Sequence, residues 1–140
     1  MGQLRDEAVE IQYLIFHVFS ILKKRADSIF KKHGLTGAQV GVLTRLSERH
    51  GKPMNKLGEE LWCDVSNITG VVDRLEKQGL VCRDPHPEDR RINLIRITTK
   101  GKEALAETLP EHENALINQV RKLSPDERKT LIKLLNKIIE

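Results

Sequence analysis

Aromatic side chains are scarce in this chain: one Trp, one Tyr and three Phe among 140 residues. That argues against a platform on which the bases of a single strand would stack. Cysteine is almost missing as well. Cys63 and Cys82 do not make a secreted disulfide scaffold, and both are expected to be buried and inert. Cys63 precedes a helix N-terminus, which favours a thiolate, but the neighbouring Asp64 opposes it. No apolar run approaches the ~18 residues of a membrane span, and the opening MGQLRDEAVE is too polar for a signal peptide. A cytoplasmic protein with no membrane partner is expected. The histidines His17, His33, His50, His86 and His112 have no metal-ligand spacing with one another or with cysteine, so neither metal nor cofactor is expected. A phosphate-binding glycine loop, a nucleophile elbow and a paired-acid arrangement are all lacking, which disfavours an enzyme. Charge of one sign is in only small excess, at +4, which permits a nucleic-acid partner without demanding one.

What is present is a helical chain with one interruption. Its 140 residues suit one domain that buries ~70% of its unfolded surface. Residues 5–33 hold neither glycine nor proline. Ala8, Ile11, Ile15, Val18, Leu22, Ala26 and Ile29 recur at the helix period, while Leu14, Phe16, Phe19 and Ile21 widen the apolar surface beyond one stripe. Such a helix needs two partners, its own lobe and a second subunit. Thr36 and Gln39 have capping-box spacing and start a second helix, with Val40, Leu43 and Leu46 inward and Gly51 and Pro53 as stops. A short helix follows around Leu57 and Leu61. Asp64 is the expected N-cap of a helix over 65–79, whose core face is Ile68, Val71, Val72 and Leu75 and whose stop is Gly79. LVCR (80–83) and INLIRIT (92–98) read as two strands. Thr98 caps a long helix that Pro110 should kink or interrupt. SPDE (124–127) combines a serine cap, a first-turn proline and a capping-box glutamate, and opens the final helix.

The predicted architecture is mainly α with a small β-hairpin wing: a winged helix-turn-helix domain flanked by N- and C-terminal dimerisation helices. The single domain spans 1–140, with the lobe at 36–100 and the dimerisation helices at 1–35 and 101–140. The terminal helices carry more apolar surface than one lobe can cover. A homodimer would bury it.

The stretch from Met54 to Gly101, with its VVDRLEKQGLV run, PEDRR tip and ITTKG exit, resembles the MarR family of transcriptional regulators. The flanking helices fit too, so the resemblance covers nearly the whole chain. Trp62 stands where that family usually has a glycine. The resemblance implies a homodimer that binds double-stranded DNA at a near-palindromic operator, most often as a repressor, and is released by a small-molecule inducer. Family members that sense oxidants usually do so through a cysteine in the first long helix, and this sequence has none there.

The residues themselves are suited to that task. On the helix 65–79, Ser66, Gly70, Asp73 and Lys77 lie opposite the core face, with Asn67 and Arg74 on one flank and Thr69 on the other. Hydroxyls, amides and guanidinium groups read base edges or grip phosphates, and Gly70 leaves room for close approach. The plainer alternative for this face is ordinary solvation. Asp73 would be repelled by phosphate and should pair with a basic neighbour. Arg90 and Arg91 stand at the hairpin tip, where an arginine entering a minor groove gains from concentrated negative potential. Asp89 should hold one of them, Arg91, by a charge-assisted hydrogen bond; a surface ion pair without function is the alternative. Ser66, Asn67, Thr69, Gly70, Arg74, Lys77, Asp89, Arg90 and Arg91 form the expected DNA-binding set. Tyr13, Phe16, His17 and Trp62 are candidates to line a ligand pocket, or simply to pack in the core. A winged helix that binds a protein partner in place of DNA is the second reading, but such a module need not keep the arginine pair.

Overall fold

The computed structural model describes residues 1–48, 51–61 and 65–140, apart from the side chains of Val65 and Ser66. Expectations for His50, Trp62, Cys63, the Asp64 cap and the Ser66 side chain fall outside the described residues. The elements are α1 (Gly2–Lys32), α2 (Gly37–Glu48), β1 (Lys52–Pro53), α3 (Met54–Glu60), α4 (Val65–Lys77), β2 (Val81–Pro85), β3 (Asn93–Ile97), α5 (Thr99–Val120) and α6 (Pro125–Ile139). This is the mainly helical, winged architecture that the pattern predicts.

Local chemistry sets most boundaries. Gly34, with φ of +71°, ends α1 in a conformation that costs glycine nothing. The Thr36–Gln39 capping box forms in both directions: the Thr36 N–H donates to Gln39 Oε1 at 3.0 Å and the Gln39 N–H to Thr36 Oγ1 at 3.2 Å. The Ser124–Glu127 box opens α6 in the same way.

The expected hairpin forms, β2 pairing antiparallel with β3 from Val81 opposite Ile97 to Pro85 opposite Asn93. β1 adds an edge strand that sequence reasoning missed, giving the order β1-β3-β2, with Lys52 opposite Ile95 and Pro53 opposite Leu94. A two-residue strand has no period to detect, and proline fits an edge because it need not donate to the ladder. Of the two outcomes expected at Pro110, interruption does not occur: α5 runs as one element from Thr99 to Val120. The ring removes one backbone hydrogen bond. Contacts with α1 hold the stretch that follows it: Lys32 with Glu111 at 2.7 Å, Phe30 against the His112 ring at 4.9 Å, and Arg25 with Gln119 at 2.6 Å.

The core sits where α2, α3, α4 and the sheet meet, with Val42, Leu43, Leu57, Val72, Leu75 and Ile95 at 0% exposure. Beside it the Lys52 ammonium, on a side chain 8% exposed, donates to Glu60 Oε2 at 2.6 Å. This ties the end of α3 to the sheet edge. The hydrogen bond from Lys52 holds the Glu60 carboxyl below its ordinary value of 4.5, against the opposing effect of burial. A carboxylate with a depressed folded value stabilises the fold above its unfolded value, and that contribution is lost as pH falls through the folded value. The tie therefore weakens only below about pH 4.5.

The terminal helices contrast with this core. Every residue of the first twenty is exposed, and α6 buries none.

Gly101, in the first turn of α5, is a packing necessity. A Cβ there would stand 2.2 Å from the Leu80 carbonyl oxygen and 2.8 Å from Ile97 Cγ1. Backbone cannot yield as a flexible side chain does, so Gly101→Ala should destabilise the chain by about 1–3 kcal/mol in chemical denaturation. An unchanged midpoint would show that α5 can shift without cost.

Candidate nucleic-acid interface

Helix α4 is divided lengthwise. Ile68, Val71, Val72 and Leu75 are buried, while Asn67, Arg74 and Lys77 are exposed, with Thr69 and Gly70 half-buried at the flank. A Cβ on Gly70 would meet nothing within 4 Å, so the surface there is open to another molecule. The structure thus brings Asn67, Thr69, Gly70, Arg74 and Lys77 onto one lobe face.

Asp73 pairs with a basic neighbour, as expected, and the partner is Arg83 on β2. Glu76 approaches the same guanidinium at 3.8 Å. Arg83 therefore ties α4 to the wing, a link that sequence reasoning missed. The signal was faint: an arginine directly after an apolar strand start, ten residues past an acid that faces away from the core.

The wing tip closes on itself. The His86 N–H donates to the Ile92 carbonyl at 2.8 Å and the Ile92 N–H to the Asp89 carbonyl at 3.0 Å. Asp89 binds Arg91 three times: its Oδ1 accepts from the Arg91 backbone N–H at 3.1 Å and from Nε at 3.0 Å, and its Oδ2 accepts from Nη2 at 3.2 Å. Hydrogen bonds from the Arg91 side chain, then from its backbone, hold the Asp89 carboxyl below its ordinary value. The Arg91 side chain is nonetheless 90% exposed. A guanidinium held along one edge by Asp89 and otherwise presented to solvent is fixed in direction without being buried. Arg90 is exposed and makes no ion pair among the described residues. Farther back, Arg96 binds Asp84 across the wing strands at 2.9 Å. Between wing and helices lies an open groove of about 810 Å³ that includes Asn55, Thr69, Arg83, His86 and Arg91.

Of the candidate pocket residues, Tyr13 and Phe16 are 65% and 62% exposed in the single chain, and Tyr13 contacts the ring of His17 at 5.9 Å. A cleft of about 870 Å³ opens one turn farther along α1, lined by Phe19, Leu22, Ala26, Leu35, Ala38 and His112. Helical periodicity could not separate Phe19 from Phe16, because only the position of α2 decides which faces the cleft. Among the described residues no cluster of His, Cys, Asp or Glu has the geometry of a metal site.

Comparison with known proteins agrees with this geometry. The family model described as "MarR family" matches residues 35–92, from the start of α2 to the wing tip. The HTH-type transcriptional regulator YkoM of Bacillus subtilis (strain 168), itself uncharacterized, is 30% identical over 94% of this chain and 86% of its own. The transcriptional repressor MprA of Escherichia coli (strain K12) is 30% identical over 90% of this chain and 73% of its own. Among solved structures, the transcriptional regulator BldR of Sulfolobus solfataricus superposes with a TM-score of 0.86 at 28% identity, over 96% of this chain and 95% of that one. CouR of Rhodococcus jostii RHA1, solved with p-coumaroyl-CoA bound, gives a TM-score of 0.83 at 25% identity, over 91% and 90% of the two chains.

Proposed function

Because this chain belongs to the MarR family of winged helix-turn-helix transcriptional regulators, we propose that it acts as a homodimeric repressor on a near-palindromic DNA operator and is released by a small ligand. One observation carries the DNA-binding part: the polar face of α4 and the Asp89-gripped Arg91 belong to one lobe, joined through the Asp73–Arg83 pair. In this reading α4 enters a major groove, where Asn67, Thr69, Arg74 and Lys77 meet bases and phosphates, and Arg91, with Arg90 beside it, reaches the adjacent minor groove. Ser66 is assigned to the same surface from its position in the first turn of α4.

Repression is proposed by analogy with relatives such as the transcriptional repressor MprA. Release by ligand rests on the cleft between α1 and α2, whose mainly apolar lining also holds Lys23, Asp27, Lys31 and His112, and on the ligand carried by CouR. In this reading the protein acts on genomic DNA in the cytoplasm. No helix among the described residues is long and apolar enough to cross a membrane.

The test is selection of bound fragments from a random duplex pool, followed by titration across salt concentrations. A near-palindrome with half-site centres about 34–36 Å apart is expected, together with a steep negative salt slope. Absence of enrichment, with salt-insensitive capture of a protein, would favour a protein-interaction module instead. Within the selected operator, Arg74→Ala distinguishes two roles. If Arg74 grips a guanine, the loss is about 1–3 kcal/mol and confined to one position of the site. If it grips a phosphate, binding weakens evenly and the salt slope falls by about one. A variant indistinguishable from the parent on every sequence would remove Arg74 from the interface.

A further inference from the structure

The C-terminus of α4 is closed twice. Its own chain closes it first: the Gly79 N–H donates to the Glu76 carbonyl at 3.0 Å and the Leu80 N–H to the Leu75 carbonyl at 2.9 Å. This is the Schellman arrangement, with Gly79 at φ of +76°. The second closure comes from the start of α5, about twenty residues later. Lys100 Nζ donates to the Gln78 carbonyl at 2.9 Å, Thr98 Oγ1 to the Gly79 carbonyl at 2.7 Å, and the Thr98 N–H to the Leu80 carbonyl at 3.0 Å. The cap carbonyl of α4 at Gln78 and the two carbonyls that follow it, at Gly79 and Leu80, are thus all taken by residues 98–100. The Thr98 hydroxyl serves both helices, because it also accepts from the Gly101 N–H at 3.0 Å as the N-cap of α5. Gly101 lets the two backbones meet at this distance.

We propose that Thr98 and Lys100 are positioning residues that clamp the end of α4 to the root of α5 and so set the separation of the two recognition helices in the dimer. The inference rests on the reading of the protein as a dimeric duplex-binding regulator. Its physical content is a lever. α5 is fastened to α1 by the Lys32–Glu111 and Arg25–Gln119 contacts, and α1 carries the apolar surface that the lobe leaves uncovered. A change in the tilt of α5 against α1 therefore reaches α4 through the clamp. A rotation of about 5° acting over roughly 30 Å, the length of a 20-residue helix, moves the far end about 3 Å, close to the rise of one base pair. A duplex with fixed half-site spacing detects such a shift, whereas an isolated half-site does not.

The experiment compares three duplexes derived from the operator that the parent selects: the full site, one half-site with the other scrambled, and full sites with the spacer changed by one base pair. Thr98→Val should lose about five- to tenfold on the full site, the size of a modest coupling. Its half-site affinity should stay within about twofold of the parent, and its preference among spacers should flatten. Thr98→Ser keeps the hydroxyl and should restore both. Lys100→Met, at an exposed position outside the core, should show the same selective loss without touching the α5 cap. Thermal melts of each variant keep the titrations well below unfolding. Equal losses on full and half-site would mark a local defect or a phosphate contact and overturn the proposal, as would an unchanged spacer profile. A parent that enriches no duplex would overturn the DNA-binding reading and the clamp's role with it.

Discussion

Arg91→Ala should weaken duplex binding by about 10- to 100-fold, the usual value of a hydrogen bond to a charged group, while the thermal midpoint stays where it is. The separation of the two effects follows from the geometry. The Arg91 side chain is 90% exposed, so its removal takes no packing from the core. Asp89 remains as a solvated carboxylate beside the loop hydrogen bonds of His86 and Ile92. What is lost is a guanidinium already fixed in direction, and preorganisation is what makes such a group effective in a narrow groove. Asp89→Asn should give a smaller loss, since Arg91 keeps its charge and gives up only its orientation. The depressed Asp89 carboxyl also fixes the pH behaviour: a lowered folded value means that the grip is complete above the ordinary 3.8 and fades only as pH falls below it. Titration at fixed salt, with the selected operator, should show the Asp89–Arg91 contribution constant through the neutral range. Unchanged affinity of the Arg91→Ala protein would remove the wing tip from the interface.

Features set by neighbours in sequence were legible. The Thr36–Gln39 and Ser124–Glu127 boxes need residues three apart, and both form. The Asp89–Arg91 grip spans two residues, and it forms. The split of α4 into a core face and a polar face follows from helical period alone. Features set by tertiary placement were not legible. The Lys52–Glu60 tie, the Arg83 bridge and the α1–α2 cleft depend on which elements face each other, and a strand as short as Lys52–Pro53 leaves no pattern. Pro110 shows the same limit from the other side. A local rule predicts disruption, while α5 runs on through the ring and α1 holds the residues that follow it.

The largest effect is expected from removing residues 124–140. The final helix contributes nothing to the lobe's core: α6 has no buried residue, and Ile132, Leu134, Ile138 and Ile139 are 62%, 51%, 62% and 80% exposed. The first helix has the matching surplus, with Leu4, Val9, Phe16 and Phe19 at 66%, 59%, 62% and 61%. Soluble proteins do not leave apolar surface of that extent in water. A two-fold partner would cover it with an isologous interface, in which the terminal helices of one copy meet those of the other. The truncated chain should therefore keep the lobe's thermal transition and sediment as a monomer, or else precipitate through the exposed face of α1. Its operator affinity should fall by about 10²- to 10⁴-fold, because two linked half-site contacts become one. Leu135→Glu together with Ile138→Glu tests the same interface without shortening the chain. Carboxylates in an apolar contact are costly to desolvate, whereas on a free helix face they are harmless. Sedimentation and operator titration should then move together, the monomer retaining half-site binding and losing the full-site advantage. A soluble monomer, truncated or charged, that still bound the full operator as tightly as the parent would show that the terminal helices do not build the DNA-binding dimer.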